Sequence, residues 1–302
     1  MRADNARSGF PFQPTEFWQR ETGVFERLFQ ITGINAVEDE YFNTRFSGTQ
    51  PHDERLYEWF LCVFYRLLKS TDKLGILERM EATLAWRSPE IVMGKNKVKV
   101  GLPILVDGRK VSADLLFTTY DIYQLVELVP GLLEKPYMVA DLGAGWGRIG
   151  YMLLSLNPSL TYALFDIPDS LLVSSEYLPR LLPDCPTMGY LDSRQCGTLD
   201  RQTLGARRLW FLGTHDLPRV AARTFDLVIN VQSFQEMRPD QVNRYLEMFA
   251  HCASGGHLYH RNNTFGRECR AEDYRYPQTW QRIFERPASY SDKVVDAGWR
   301  LP

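Results

Sequence analysis

The sequence predicts an α/β protein: a parallel, doubly wound sheet covered by helices, with a mainly helical N-terminal region in front of it. Three observations carry this. From Tyr137 onward, short apolar runs alternate with helical segments at the interval of strand–helix–strand units. A glycine-rich turn, Gly143 to Gly147, joins one such run to the helix after it. The first third instead carries aromatic-rich stretches at helical spacing.

Taken in order, Thr15-Glu16-Phe17-Trp18 opens a helix running toward Gln30, with Phe17, Val24, Phe25, Leu28 and Phe29 on one face. Asp53 can cap a second helix, whose face of Leu56, Tyr57, Phe60, Leu61, Phe64, Leu67 and Leu68 reads as core. Asp107-Gly108 between β-prone runs predicts a small hairpin. Ser112-Ala113-Asp114 then starts a helix through Tyr120, Tyr123, Leu125 and Leu128 that Pro130-Gly131 stops. Beyond it, strands are expected at 137–142, 161–165, 209–212, 227–231 and 257–260, with helices at 148–156, 170–182 and 239–252. The charged and aromatic stretch from Arg267 to Tyr276 reads as a solvated lid or loop.

A chain of 302 residues suits two domains, here 1–112 and 113–302. Its 35 basic and 37 acidic residues give a net charge of −2, without the basic excess of sequence-independent nucleic-acid binders. No apolar run approaches the roughly 18 residues of a membrane span, and no secretory signal is read at the start. Five cysteines without a C-x-x-C read as reduced thiols in a cytoplasmic protein, with no metal expected.

The informative stretch is Val139 to Gly150. Glycines there let the backbone approach a ligand, and the helix that follows offers unpaired N–H groups. Two ligand classes use this geometry. Gly145, Gly147 and Gly150 fit the G-x-G-x-x-G of dinucleotide sites; Asp141, Gly143, Gly145 and Gly147 fit the D-x-G-x-G-x-G of S-adenosylmethionine sites. Register favours the second. A dinucleotide fingerprint starts as the strand ends, whereas Gly145 follows Gly143-Ala144. Asp141 also suits a ligand carrying a sulfonium and an ammonium better than a pyrophosphate. Asp166, roughly 20 residues on at the end of the next strand, can accept both ribose hydroxyls, a feature the two classes share.

Together with Phe165-Asp166-Ile167-Pro168, Phe225 to Asn230, Ser233 to Met237 and Gly255 to Tyr259, this motif resembles class I S-adenosylmethionine-dependent methyltransferases over Ala113 to Pro302. Through Phe165–Pro168 and Ser233–Met237 it is similar, more narrowly, to a bacterial group of sugar O-methyltransferases. The resemblance implies a Rossmann-like sheet of seven strands with the last antiparallel. It also implies a methyl donor across the first four strand tips and an N-terminal cap over the acceptor. The implied donor contacts are Asp141, Gly143, Ala144, Gly145, Gly147, Arg148, Asp166, Ile167, Thr214, His215, Asn230, Val231 and Gln232.

Methyl transfer is an in-line displacement, so the protein has to position an acceptor oxygen and take its proton. Glu236 and His260 are the candidate bases; Ser233, Asn262 and Tyr120 are candidate acceptor contacts, and Trp280 is a further candidate for lining that site. The expected acceptor is a sugar or sugar-containing metabolite, as in natural-product biosynthesis, and a homodimer is a candidate assembly. The alternatives are methylation of N or O on another small molecule, an NAD(P)-dependent oxidoreductase, and a non-catalytic methyltransferase-like subunit.

Overall fold

The computed structural model describes Asp4, Gly9 and residues 54–72, 75–83, 91–93, 98–100, 104–264 and 268–302. The helix expected from Thr15 to Gln30 lies outside the described residues. The chain divides into two compact units, Met1–Arg20 with Gln124–Pro302 and Glu21–Tyr123.

In the second of these, helix α1 (Glu54–Thr71) buries Leu61, Phe64 and Leu68 of the expected face and Tyr65 beside them, whereas Leu67, expected on that face, is exposed. Helix α2 (Ile76–Thr83) is capped by Asp72, whose carboxylate accepts from the Ile76 and Leu77 N–H groups at 2.7 and 2.9 Å. Strands β1 (Ile91–Met93) and β2 (Val98–Val100) pair antiparallel, as do β3 (Ile104–Val106) and β4 (Arg109–Val111). Asp107 and Gly108 between the latter have φ of 50° and 80°, the left-handed pair a two-residue hairpin needs. Helix α3 (Ala113–Leu128) starts where Ser112 Oγ accepts from Leu115 N–H.

The first unit is built on one sheet. Strands β5 (Met138–Leu142), β6 (Thr161–Asp166), β8 (Leu209–Gly213), β9 (Leu227–Val231) and β10 (His257–Asn263) are mutually parallel. The two-residue β7 (Thr187–Met188) extends one edge, and β11 (Gln281–Ala288) and β12 (Ser291–Arg300) the other. The order is β11-β12-β10-β9-β5-β6-β8-β7, with β12 antiparallel to both its neighbours. This is the Rossmann-like sheet with a reversed last strand, carrying one short strand more than the seven expected. Strand order reverses between β5 and β9, the switch point where doubly wound sheets bind ligands beyond their carboxyl ends.

Helices cover both faces. Ala140, Leu142, Ala163, Phe165, Val228 and Leu258 share a core with Val242, Leu246 and Phe249 of helix α8 (Pro239–Cys252). On the opposite face, Tyr162 and Leu164 meet the start of helix α4 (Arg148–Leu156). Helix α5 (Pro168–Leu181) adds Leu178 there, and the short helices α6 (Tyr190–Ser193) and α7 (Arg201–Gly205) precede β8.

Two expectations are corrected. The fifth strand does not stop at His260 but continues to Asn263, because Arg261, Asn262 and Asn263 pair with Asp296, Val295 and Val294 of β12. The part of the supposed solvated lid that is described, from Glu268, packs on the sheet. Cys269 and Tyr274 are buried in the same core as Trp280 and Trp299, while the charges between them point outward.

Candidate functional site

The carboxyl ends of β5, β6, β8 and β9 converge on the glycine turn. Gly143, Gly145 and Gly147 all have positive φ, at 71°, 61° and 88°. The turn is tied to the sheet by Gly143 N–H donating to Phe165 O at 2.8 Å, and closed by Gly147 N–H donating to Ala144 O at 3.0 Å. Gly147 is the N-cap of α4 and offers no side chain of its own to cap it; Arg148, half-buried, is its first residue.

Asp166 ends β6, buried against the turn. One carboxylate oxygen accepts from Gly145 N–H at 2.7 Å and the other from Ile167 N–H at 2.7 Å. Asp141 is buried one position before the end of β5 and accepts a hydrogen bond from the Tyr162 hydroxyl of the neighbouring strand. Tyr162, which the sequence reading missed, lies against Gly150: a Cβ there would come within 2.6 Å of its ring. The third glycine of the dinucleotide-like pattern therefore makes room for an aromatic side chain.

At the tip of β8, Thr214 and His215 are buried at the start of a 3-10 turn, Thr214–Arg219. Thr214 hydrogen-bonds Tyr245 of α8; burial pushes the Tyr245 phenol up, and the nearby Asp166 carboxylate adds to this. Asp166, Thr214 and His215, three of the implied donor contacts, thus lie at adjacent strand tips.

Asn230, Ser233 and Asn262 also come together, as a sealed network. The Asn230 amide donates to Leu142 O at 2.9 Å and to Ser233 Oγ. Its oxygen accepts from Asn262 Nδ2 at 3.0 Å and from Phe234 N–H at 3.2 Å. Asn262 Oδ1 accepts from Phe234 N–H at 3.1 Å. All three residues are buried, and their polar atoms hold the loop after β9 against the end of β5. A Cβ on Gly143 would stand 2.2 Å from Ser233 Oγ, so loop and glycine turn are fitted to each other.

Next to this network Gln232 takes a φ of 60°, uncommon for a side-chain-bearing residue. Its N–H donates to Arg261 O at 2.8 Å and its side chain accepts from Gln235 at 2.9 Å, which fixes that conformation; Val231 beside it is half-buried.

The two candidate bases differ. Glu236 is half-buried at the end of the short turn Phe234–Glu236. His260 is enclosed by Phe234, Tyr274 and Tyr276, its Nε2 within 2.5 Å of the Tyr276 hydroxyl and its Nδ1 without a hydrogen-bond partner among the described residues. Burial pulls its pKa down to about 3, so the ring is neutral and walled in. Trp280 belongs to the same aromatic cluster. Tyr120 packs in the other unit, 6.2 Å from Phe64 between ring centres. Among the described residues, no group of His, Cys, Asp or Glu is arranged to hold a metal ion, and no helix is long and apolar enough to cross a membrane.

Strand order, glycine turn and the carboxylate at the second strand define a Rossmann-like α/β fold whose switch point lies at the glycine turn, where doubly wound sheets in general bind ligands. No protein-family model matches the sequence, and no curated protein matches it. Among solved structures, the chain is similar to the magnesium protoporphyrin IX methyltransferase of Synechocystis PCC 6803 at 15% identity and a TM-score of 0.42, over 63% of this chain and 82% of that one. It is similar to the mitomycin 7-O-methyltransferase at 14% identity and a TM-score of 0.40, over 62% of this chain and 57% of the other. The N,N-8-amino-8-demethyl-D-riboflavin dimethyltransferase of Streptomyces davawensis matches at 14% identity and a TM-score of 0.40, over 63% of this chain and 56% of that one. The match thus spans little more than half the length of the last two. The strand order above, rather than these likenesses, defines the fold.

Proposed function

We propose that this protein is an S-adenosylmethionine-dependent methyltransferase acting on a hydroxyl of a sugar or sugar-containing small molecule. The observation that carries the cofactor class is the hydrogen bond from Gly145 N–H to Asp166. A pyrophosphate would have to approach the turn at that amide, where it would meet a carboxylate; a nucleoside without phosphate meets a ribose-binding group instead.

The donor set fits such a ligand. Asp166 offers acceptors for a ribose diol, Asp141 supplies negative charge for a sulfonium and an ammonium, and Arg148 with the N-terminus of α4 suits a carboxylate. Thr214 and His215 bound the base. The backbone at Val231 and Gln232 borders the reacting end, while Asn230, Ser233 and Asn262 hold that loop in place. When bound, the donor supplies a methyl carbon activated by a positive sulfur. The chain has to orient the acceptor and remove its proton, and Glu236 is better placed for this than the enclosed His260.

The sugar class rests on the resemblance carried by Phe165–Pro168 and Ser233–Met237. Its test is transfer of radiolabelled methyl from S-adenosylmethionine to a panel of free and nucleotide-linked sugars. Labelled sugar is the expected product. Label only in other hydroxylated or amino compounds would overturn the acceptor class, and no label in any acceptor despite donor binding would leave a non-catalytic binding protein.

A further inference from the structure

Asp4, far away in the sequence, sits at the tip of the third parallel strand. One of its carboxylate oxygens lies 2.8 Å from the Tyr190 hydroxyl and the other 3.6 Å from the Arg194 guanidinium. The Tyr190 oxygen is also 3.0 Å from His215 Nε2. A phenol has a single proton, and a carboxylate can only accept. Tyr190 therefore donates to Asp4, and its oxygen accepts from His215, which places a hydrogen on Nε2. Asp216 Oδ2, 4.0 Å from Nε2, favours the same arrangement; Arg194 Nη1, at 3.4 Å, opposes it from a longer distance. Burial holds the His215 pKa below its ordinary value, against the pull of Asp216, and so favours the neutral ring; the Tyr190 contact then favours the tautomer with its hydrogen on Nε2.

His215 in turn shapes the site. Its ring folds over Gly213, where a Cβ would stand 2.3 Å from Cε1, and Gly213 pairs in register with Asp166. Asp216 accepts from Gly213 N–H at 2.9 Å, so the strand tip and the ring are held as one piece.

We propose that Asp4 is a positioning residue for the nucleoside end of the site: acting through Tyr190, it fixes the tautomer and orientation of His215 beside the ribose carboxylate. The named site rests on the methyl-donor reading; the proton arrangement does not.

The test is long-range ¹H–¹⁵N correlation of the histidine rings in the full chain, with His215 assigned by its loss in His215→Gln. The wild type should show the Nε2–H form. Asp4→Ala releases the Tyr190 proton toward Nε2 and should shift His215 toward Nδ1–H, whereas Asp4→Asn, which keeps an acceptor for Tyr190, should retain the wild-type signature. S-adenosylhomocysteine affinity should fall about threefold to tenfold in Asp4→Ala and stay near wild type in Asp4→Asn, the loss of one buried hydrogen bond. Should Asp4→Ala not fold, Tyr190→Phe removes both bonds and should weaken binding by a similar factor. An unchanged tautomer in Asp4→Ala, or unchanged affinity in both Asp4→Ala and Tyr190→Phe, overturns the proposal. Failure of the wild type to bind S-adenosylhomocysteine would instead remove the donor reading and leave the tautomer result to stand by itself.

Discussion

Replacing Gly143 by alanine should damage the fold and the site together. At a φ of 71° an alanine pays about 1–2 kcal/mol for the left-handed conformation. Its Cβ would also stand 2.2 Å from Ser233 Oγ and 2.5 Å from Ser233 Cβ, so Ser233 has to leave its place. Ser233 is bonded to Asn230 and to Leu142 O, and losing those two buried contacts costs about 1–3 kcal/mol more. The sum, about 2–5 kcal/mol, is a large share of the stability of an ordinary domain. Urea unfolding followed by tryptophan fluorescence measures it. Adding Ser233→Gly removes the collision but not the strain, so Gly143→Ala should cost only about 1–2 kcal/mol when introduced into Ser233→Gly. A loss below about 1 kcal/mol in the single variant, or full additivity in the double one, would refute the claim that turn and loop are fitted to each other.

Tyr162→Phe leaves the buried Asp141 carboxylate without one of its donors; a loss of about 1–3 kcal/mol in urea unfolding is expected, with weaker ligand binding. Arg208 donates to Leu154 O in the last turn of α4 and to Asn157 O and Leu160 O just after it, so Arg208→Ala should lower the melting temperature while leaving ligand affinity unchanged by titration. His260 titrates near 6.5 when unfolded and at about 3 when folded. Between these values the unfolded chain binds the extra proton, so stability is full above about pH 6.5 and falls as the pH drops toward 3. His260→Gln should flatten that acid limb by up to about 1.4 kcal/mol per pH unit, read from urea midpoints across the range.

Much of the sheet is legible in the sequence because its central strands are buried on both faces and appear as unbroken apolar runs. Leu209-Trp210-Phe211-Leu212 and Leu227-Val228-Ile229 are found this way. The helix Pro239–Cys252 is legible to the residue, with proline at its start and an apolar face of Val242, Leu246 and Phe249. Strand β11 is not, because as an edge strand it is mostly exposed and carries Arg282, Glu285, Arg286 and Pro287, which break any alternating pattern.

The glycine turn and Asp166 are legible because their chemistry is local to one strand–turn–helix unit. The closure of Asn230, Ser233 and Asn262 into a network is not, since the three polar residues acquire their roles only when β5, β9 and β10 lie side by side. His260 misleads for the opposite reason. Its polar neighbours in sequence suggest an open site, and only Tyr274 and Tyr276 folding back over β10 enclose it. Tyr162 has no motif around it, and its role follows from strand register, which sets it on the face shared with Asp141.

The glycine turn at the switch point should accept a phosphate-free adenosine ligand with a charged amino-acid tail. Isothermal titration of the full chain with S-adenosylhomocysteine, NAD and NADP under identical conditions tests it most directly, with Asp166→Ala alongside as a check on the site. Heat from S-adenosylhomocysteine alone, lost in a folded Asp166→Ala, is the predicted result; binding of NAD or NADP in its place would contradict it.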